Sequence, residues 1–94
     1  MTDHHTRAVY VIVRGIVQGV GFRYYTVSQA GARGIVGWVR NRPDGAVEAL
    51  VEGTPDAVDG MLEWLSRGPA SAVVRDVYTQ ERPPEGHRSF EIRY

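Results

Sequence analysis

YVIVRGIVQGVGFR, Tyr10–Arg23, changes its pattern half-way along. From Ala8 to Arg14 the chain is rich in β-branched residues. Val9, Val11 and Val13 share one face, and Tyr10, Ile12 and Arg14 the other. Both faces are mostly apolar, which predicts a central strand. Three glycines, Gly15, Gly19 and Gly21, then fall within seven residues. Beyond them Phe22, Thr26 and Ala30 recur at helical spacing and predict a helix over 22–33. Gly31 weakens that helix, and Gly34 fits its stop. The stretch reads as strand, glycine loop and helix, with Arg23 at the helix start.

A loop that feeds a helix N-terminus presents backbone N–H groups with no intrahelical partner. Glycines let such groups converge and let an anion come close. The helix dipole favours a phosphate there, and the fork of Arg23 matches phosphate oxygens. The same spacing also serves a plain tight turn followed by a solvated arginine. Spacing alone does not choose between the two. Neither the Gly-Lys-Ser/Thr ending of a Walker A loop nor G-x-G-x-x-G occurs.

Outward from this stretch, Ile35–Asn41 reads as a second strand. Pro43-Asp44-Gly45 is a turn, because proline presets φ and glycine accepts a positive φ. Ala46–Glu52 alternates Val47, Ala49 and Val51 against Glu48, Leu50 and Glu52, which closes a hairpin. Thr54-Pro55-Asp56 opens a helix with a cap, a first-turn proline and an acid suited to the dipole. Val58, Met61, Leu62 and Leu65 form its apolar face, and Gly68-Pro69 ends it. Val73–Arg82 is a further strand, 83–86 a loop, and Ser89–Tyr94 a short last strand. The order is β-α-β-β-α-β plus a short C-terminal strand, the ferredoxin-like split βαβ of the α+β class. Right-handed crossovers place both helices on one face of an antiparallel sheet. Residues 1–7 are expected to lack order and 8–94 to form a single domain.

Composition narrows the function. Ninety-four residues make one domain. Eleven basic and eleven acidic residues give a net charge of zero. That offers no general attraction to nucleic acid or an anionic membrane. There is no cysteine, so disulfides and thiolate chemistry are excluded. No apolar run approaches a membrane span, and MTDHHTR has no signal-peptide core. A cytoplasmic monomer is the default. All eleven basic residues are arginine, so no lysine can serve as a phosphate ligand. Asn41 is the sole asparagine.

Two motifs now matter together. Gly15–Arg23 matches G-x-V-Q-G-V-x-F-R at every fixed position, and Gly37–Val47, GWVRNRPDGAV, matches G-W-V-x-N-x-x-x-G-x-V. With WLSRGP and the closing FEIRY they resemble the acylphosphatase family over nearly the whole chain. One departure is Arg33 before Gly34, where that family commonly has leucine; it touches packing. The resemblance implies a ferredoxin-like fold and metal-free hydrolysis of carboxylic-phosphoric anhydrides, with a small acyl phosphate as partner and no cofactor. It also implies that Arg23 binds the phosphate with the backbone N–H groups of Gln18, Gly19, Val20, Gly21, Phe22 and Arg23. Asn41 would then orient the attacking water.

The residues suit that chemistry. One arginine, one amide and backbone donors include no strong acid or base. Such a site favours a leaving group that departs unaided. Other readings are blander. From the residues alone Asn41 could be a turn former, a common role for asparagine; the family resemblance decides for the site. His4 and His5 lie in the terminal stretch, where metal binding by the pair is a remote alternative, and His87 lies in a Pro/Gly loop. Trp38 and Trp64 read as packing. Tyr24 and Tyr25 could line the cradle rim, with one expected beneath the helix. Asp44 and the other acids read as solvated charges or turn formers. An RNA-binding sheet would need aromatics on central strands, and AVEALVE has none. A second alternative is a non-catalytic module for phosphate or acyl phosphate; Arg23 and Asn41 together do not favour it. A third is a maturation or carbamoyl-transfer role, because similar domains occur inside larger proteins. The chain's end at its own last strand leads us to expect a free-standing enzyme.

Overall fold

A computed structural model describes residues 6–94. Its elements are β1 (Arg7–Ile16), α1 (Phe22–Arg33), β2 (Val36–Asn41), β3 (Val47–Gly53), α2 (Pro55–Arg67), β4 (Val73–Arg82) and β5 (Phe90–Arg93). They form one sheet in the order β4-β1-β3-β2-β5. β1 opens at Arg7, one residue before the expected start. Arg7 pairs with Gly53 and reaches Asp59 and Glu81 through its guanidinium. The rest of the stretch expected to lack order, His4 and His5 included, lies outside the described residues apart from Thr6.

The strand faces follow the sequence pattern. Val9, Val11 and Val13 stand opposite Val51, Ala49 and Val47 and are buried with them. Both helices cover this face. α1 lies over β2 and β5, and α2 over β1, β3 and β4. Phe22, Thr26 and Ala30 point inward from α1; Val58, Met61, Trp64 and Leu65 do so from α2. The Phe22 and Trp64 rings meet at 5.6 Å between centroids. Thr54 caps α2 by accepting from the Ala57 N–H.

The sheet departs from the expected antiparallel arrangement at its last strand. β5 runs parallel to β2. β4 occupies one edge, and the chain crosses to the far edge before β5 begins. That crossing reverses its direction, which aligns β5 with β1 and β2. Glu52 holds the crossing segment. Its carboxylate accepts from the Glu85 and Gly86 N–H groups at 3.1 and 2.9 Å.

Glu52 and Glu48 were expected to be solvated, yet they are 3% and 5% exposed. β3 lies at the sheet centre, and neighbouring side chains cover its open face. Arg82 stacks on Tyr10 and Arg93 on Trp38, at 4.5 and 5.2 Å to the ring centroids. Tyr10 Oη and Arg40 Nε both donate to the Glu48 carboxylate. Burial alone would raise the Glu48 pKa. These bonds to the charged form outweigh it, so the group titrates below the ordinary glutamate range. A carboxylate with a depressed pKa stabilises the fold above its unfolded-state value. That contribution is lost as pH falls through the folded-state value. Unfolding free energy should therefore decline below about pH 5. Glu48→Gln should flatten that decline and destabilise the protein by about 1–3 kcal/mol at neutral pH. Denaturant melts across pH test this, and an unchanged profile would exclude Glu48 as its source.

Candidate active site

The glycine loop begins where β1 leaves its ladder. The pairing of β1 with β4 shifts between Arg14 and Gly15. Gly15 has φ 139°, and a Cβ there would lie 2.1 Å from the Val73 carbonyl oxygen. Only glycine lets the strand bend so close to its neighbour. Residues 17–21 then carry the chain to α1. Gly21 occupies the N-cap in the left-handed region, φ 80°, with no side-chain cap.

The loop's own donors are left open. Among the described residues, none of the N–H groups of Gln18, Gly19, Val20 and Gly21 donates to the protein. Phe22 and Arg23 open the helix, so theirs have no intrahelical acceptor either. Two side chains hold the loop from outside. Gln18 Nε2 donates to the carbonyl oxygens of Arg42 and Ala46, both at 2.8 Å. Ser71 Oγ donates to the Val20 carbonyl at 2.8 Å.

Topology brings Asn41 to the same place. β2 runs parallel to β1 because each is antiparallel to β3. α1 returns against that direction, so its N-terminus stands at the C-terminal end of β2, where Asn41 is the last residue. Strand alternation puts Asn41 on the helix-covered face with the buried Val39. The Gln18 clamp joins the loop to Arg42, the next residue. Asn41 is half-buried, and its side chain has no protein hydrogen-bond partner among the described residues.

The turn-forming part belongs to Asp44 instead. Its carboxylate accepts from the Ala46 N–H at 3.1 Å and pairs with Arg42 and Arg14. Arg42, then the Ala46 N–H, then Arg14 hold that carboxyl well below the usual carboxylate range. Asn41 is thereby left with a free amide.

Arg23, in the first turn of α1, is half-buried and has no carboxylate partner among the described residues. Its guanidinium lies 5.5 Å from the ring centroid of Tyr94, just beyond β5. That position at the site follows from the parallel course of β5. The tyrosines of α1 correct an expectation. Tyr24 and Tyr25 are 69% and 52% exposed, so neither lies beneath the helix. Phe22, Thr26 and Ala30 already fill its inner face. Tyr25 stands beside Gly21, where a Cβ would meet its ring at 3.4 Å. No group of three or more His, Asp or Glu side chains able to hold a metal comes together among the described residues. His87 pairs with Glu85.

The sequence singled out Gln18 for its backbone alone, and it gave no sign of Ser71. A glutamine amide and a serine among small loop residues carry no signal until the fold brings their acceptors near.

Among the described residues the arrangement offers open donors, a cation with no carboxylate partner and an amide with no hydrogen-bond partner at a single end of the sheet. An acylphosphatase from Bordetella parapertussis is 53% identical over 91 residues, covering 97% of this chain and 89% of that one. The acylphosphatase family model matches residues 9–92. The chain belongs to the acylphosphatase family. Its reaction is accordingly the hydrolysis of acyl phosphates. The crystal structure of acylphosphatase from Bacillus subtilis superposes with TM-score 0.90 at 43% identity, covering 94% of this chain and 99% of that one. A structure of an acylphosphatase from Coxiella burnetii gives TM-score 0.94 at 35% identity, covering 99% and 100%. No helix among the described residues is long and apolar enough to cross a membrane.

Proposed function

We propose that this chain hydrolyses acyl phosphates to carboxylate and inorganic phosphate without a divalent metal. Arg23 and the backbone N–H groups of Gln18–Arg23 hold the phosphoryl group, and Asn41 orients the attacking water. One observation carries this reading. The loop's N–H groups, the Arg23 guanidinium and the Asn41 amide have no competing acceptor or acid partner in the described protein.

Phosphoryl transfer runs through a loose transition state with charge spread over the equatorial oxygens. Donors fixed in advance around those oxygens stabilise that charge, and a placed water removes an entropic barrier. Nitrogen donors of this kind can carry that charge without a metal when the leaving group is a carboxylate.

The substrate in this reading is a small molecule, not a nucleic acid. Residues 8–94 act as one domain, as a monomer in the cytoplasm. Phosphate release from benzoyl phosphate, with and without EDTA, tests the central point. Turnover is expected to persist in the chelator within about twofold. Activity abolished by EDTA and restored by magnesium would overturn the metal-free mechanism. Binding without turnover would instead favour a non-catalytic module.

A further inference from the structure

We propose that Ser71 is a positioning residue for the cradle, fixing the Val20–Gly21 peptide so that the Gly21 N–H faces the anion. The proposal rests on the phosphate-cradle reading above. A trans peptide is planar, and its C=O and N–H point in opposite directions. Ser71 Oγ donates to the Val20 carbonyl at 2.8 Å. The Gly21 N–H of that same peptide therefore points away from Ser71.

The peptide needs such a hold. A flip turns ψ of Val20 and φ of Gly21, and glycine accepts either sign of φ. Gly21 sits at φ 80° and Gly19 at φ 77°, so the loop offers little resistance of its own. A flipped peptide would aim a carbonyl oxygen at the phosphate in place of a donor. Ser71 is well placed to prevent this. It lies in the turn closed by the Ala72 N–H to the Pro69 carbonyl, 2.9 Å. The turn follows Gly68, where a Cβ would stand 2.8 Å from the Phe22 ring. The serine is thus mounted on a connection pressed against the start of α1. It is itself exposed, so removing its hydroxyl opens no cavity.

The test compares Ser71→Ala and Ser71→Thr with the unaltered protein. Inhibition by inorganic phosphate, KM and kcat for benzoyl phosphate, and the denaturant midpoint are measured on each. Ser71→Ala is expected to weaken phosphate binding and raise KM about three- to tenfold, the loss of one hydrogen bond. The midpoint should move little, and threonine should restore phosphate affinity. Phosphate affinity unchanged in Ser71→Ala would overturn the proposal, as would a loss of stability alone. Amide shifts give a second readout. On phosphate addition the Gly21 peak should move less in Ser71→Ala than in the unaltered protein, while the Gly19 peak moves as before. Equal movement of Gly21 in both would also overturn it. Arg23→Ala, titrated alongside, separates the two readings. If it leaves phosphate binding intact, the cradle itself is wrong. If it loses phosphate while Ser71→Ala does not, Ser71 alone is wrong.

Discussion

Asn41→Ala is expected to lower kcat by about 10²-fold or more while inorganic phosphate still binds. Arg23→Ala is expected to lose both. The difference follows from what each group touches in the proposed site. Arg23 has no acid partner among the described residues, and it stands among loop donors that are open. A guanidinium there binds the phosphoryl group before and during reaction. Its removal should weaken phosphate as a competitive inhibitor and slow turnover together. The Asn41 amide comes from another strand and makes no hydrogen bond to the described protein. Holding a water is a task that matters in the transition state and little in the bound ground state. Kinetics with benzoyl phosphate, plus phosphate inhibition, give both quantities for each variant. If Asn41→Ala lost phosphate affinity as badly as Arg23→Ala, the division of roles would be wrong. Asn41→Asp tests the amide more finely. It keeps the size and places a carboxylate beside the phosphate, so it should weaken phosphate binding where alanine does not.

The reach of sequence reasoning differed from element to element for physical reasons. β1, the glycine loop and α1 were legible because their signals are local. β-branched alternation, glycines and four-residue spacing each act within a few residues. The β2–β3 hairpin was legible for the same reason, since Pro43, Asp44 and Gly45 make the turn themselves. The direction of β5 was not. It depends on the chain's crossing of the sheet, held by Glu52 from 33 residues away. Glu48 and Glu52 misled because alternation shows which residues share a face but not what covers that face. Tyr10, Arg40 and Arg42 arrive there from other strands and from the turn after β2. Arg23 and Asn41 were named by motif, while the Ser71 hydroxyl acts on a carbonyl 51 residues distant. Nothing within its own turn announces that contact.

The nature of the leaving group should decide the rate more than any other feature of the substrate. Acetyl, benzoyl and carbamoyl phosphates are expected to turn over well. Glycerol phosphate and similar alkyl esters are expected to react more slowly by over about 10³-fold, within the range a positioned acid usually contributes. All of them present a phosphoryl group to the same cradle. The difference lies on the far side of the bond that breaks. A departing carboxylate belongs to an acid with pKa about 4 and needs no proton at neutral pH. A departing alkoxide needs one. The proposed site holds a guanidinium, an amide and backbone N–H groups, none of which gives up a proton near neutrality. Asp44, the carboxyl of the neighbouring turn, pairs with Arg42 and Arg14, which favour its ionised form and make it a poor proton source near neutrality. Alkyl phosphates should nevertheless compete weakly with acyl phosphates, because Arg23 and the loop recognise the phosphoryl end. The measurement is kcat for both classes side by side, with the alkyl ester also assayed as an inhibitor. Comparable kcat values would mean that a proton donor or a metal takes part, and the mechanism would have to be rebuilt around it. Slow alkyl turnover together with competitive inhibition would locate the discrimination in the chemical step, because binding would then be common to both classes.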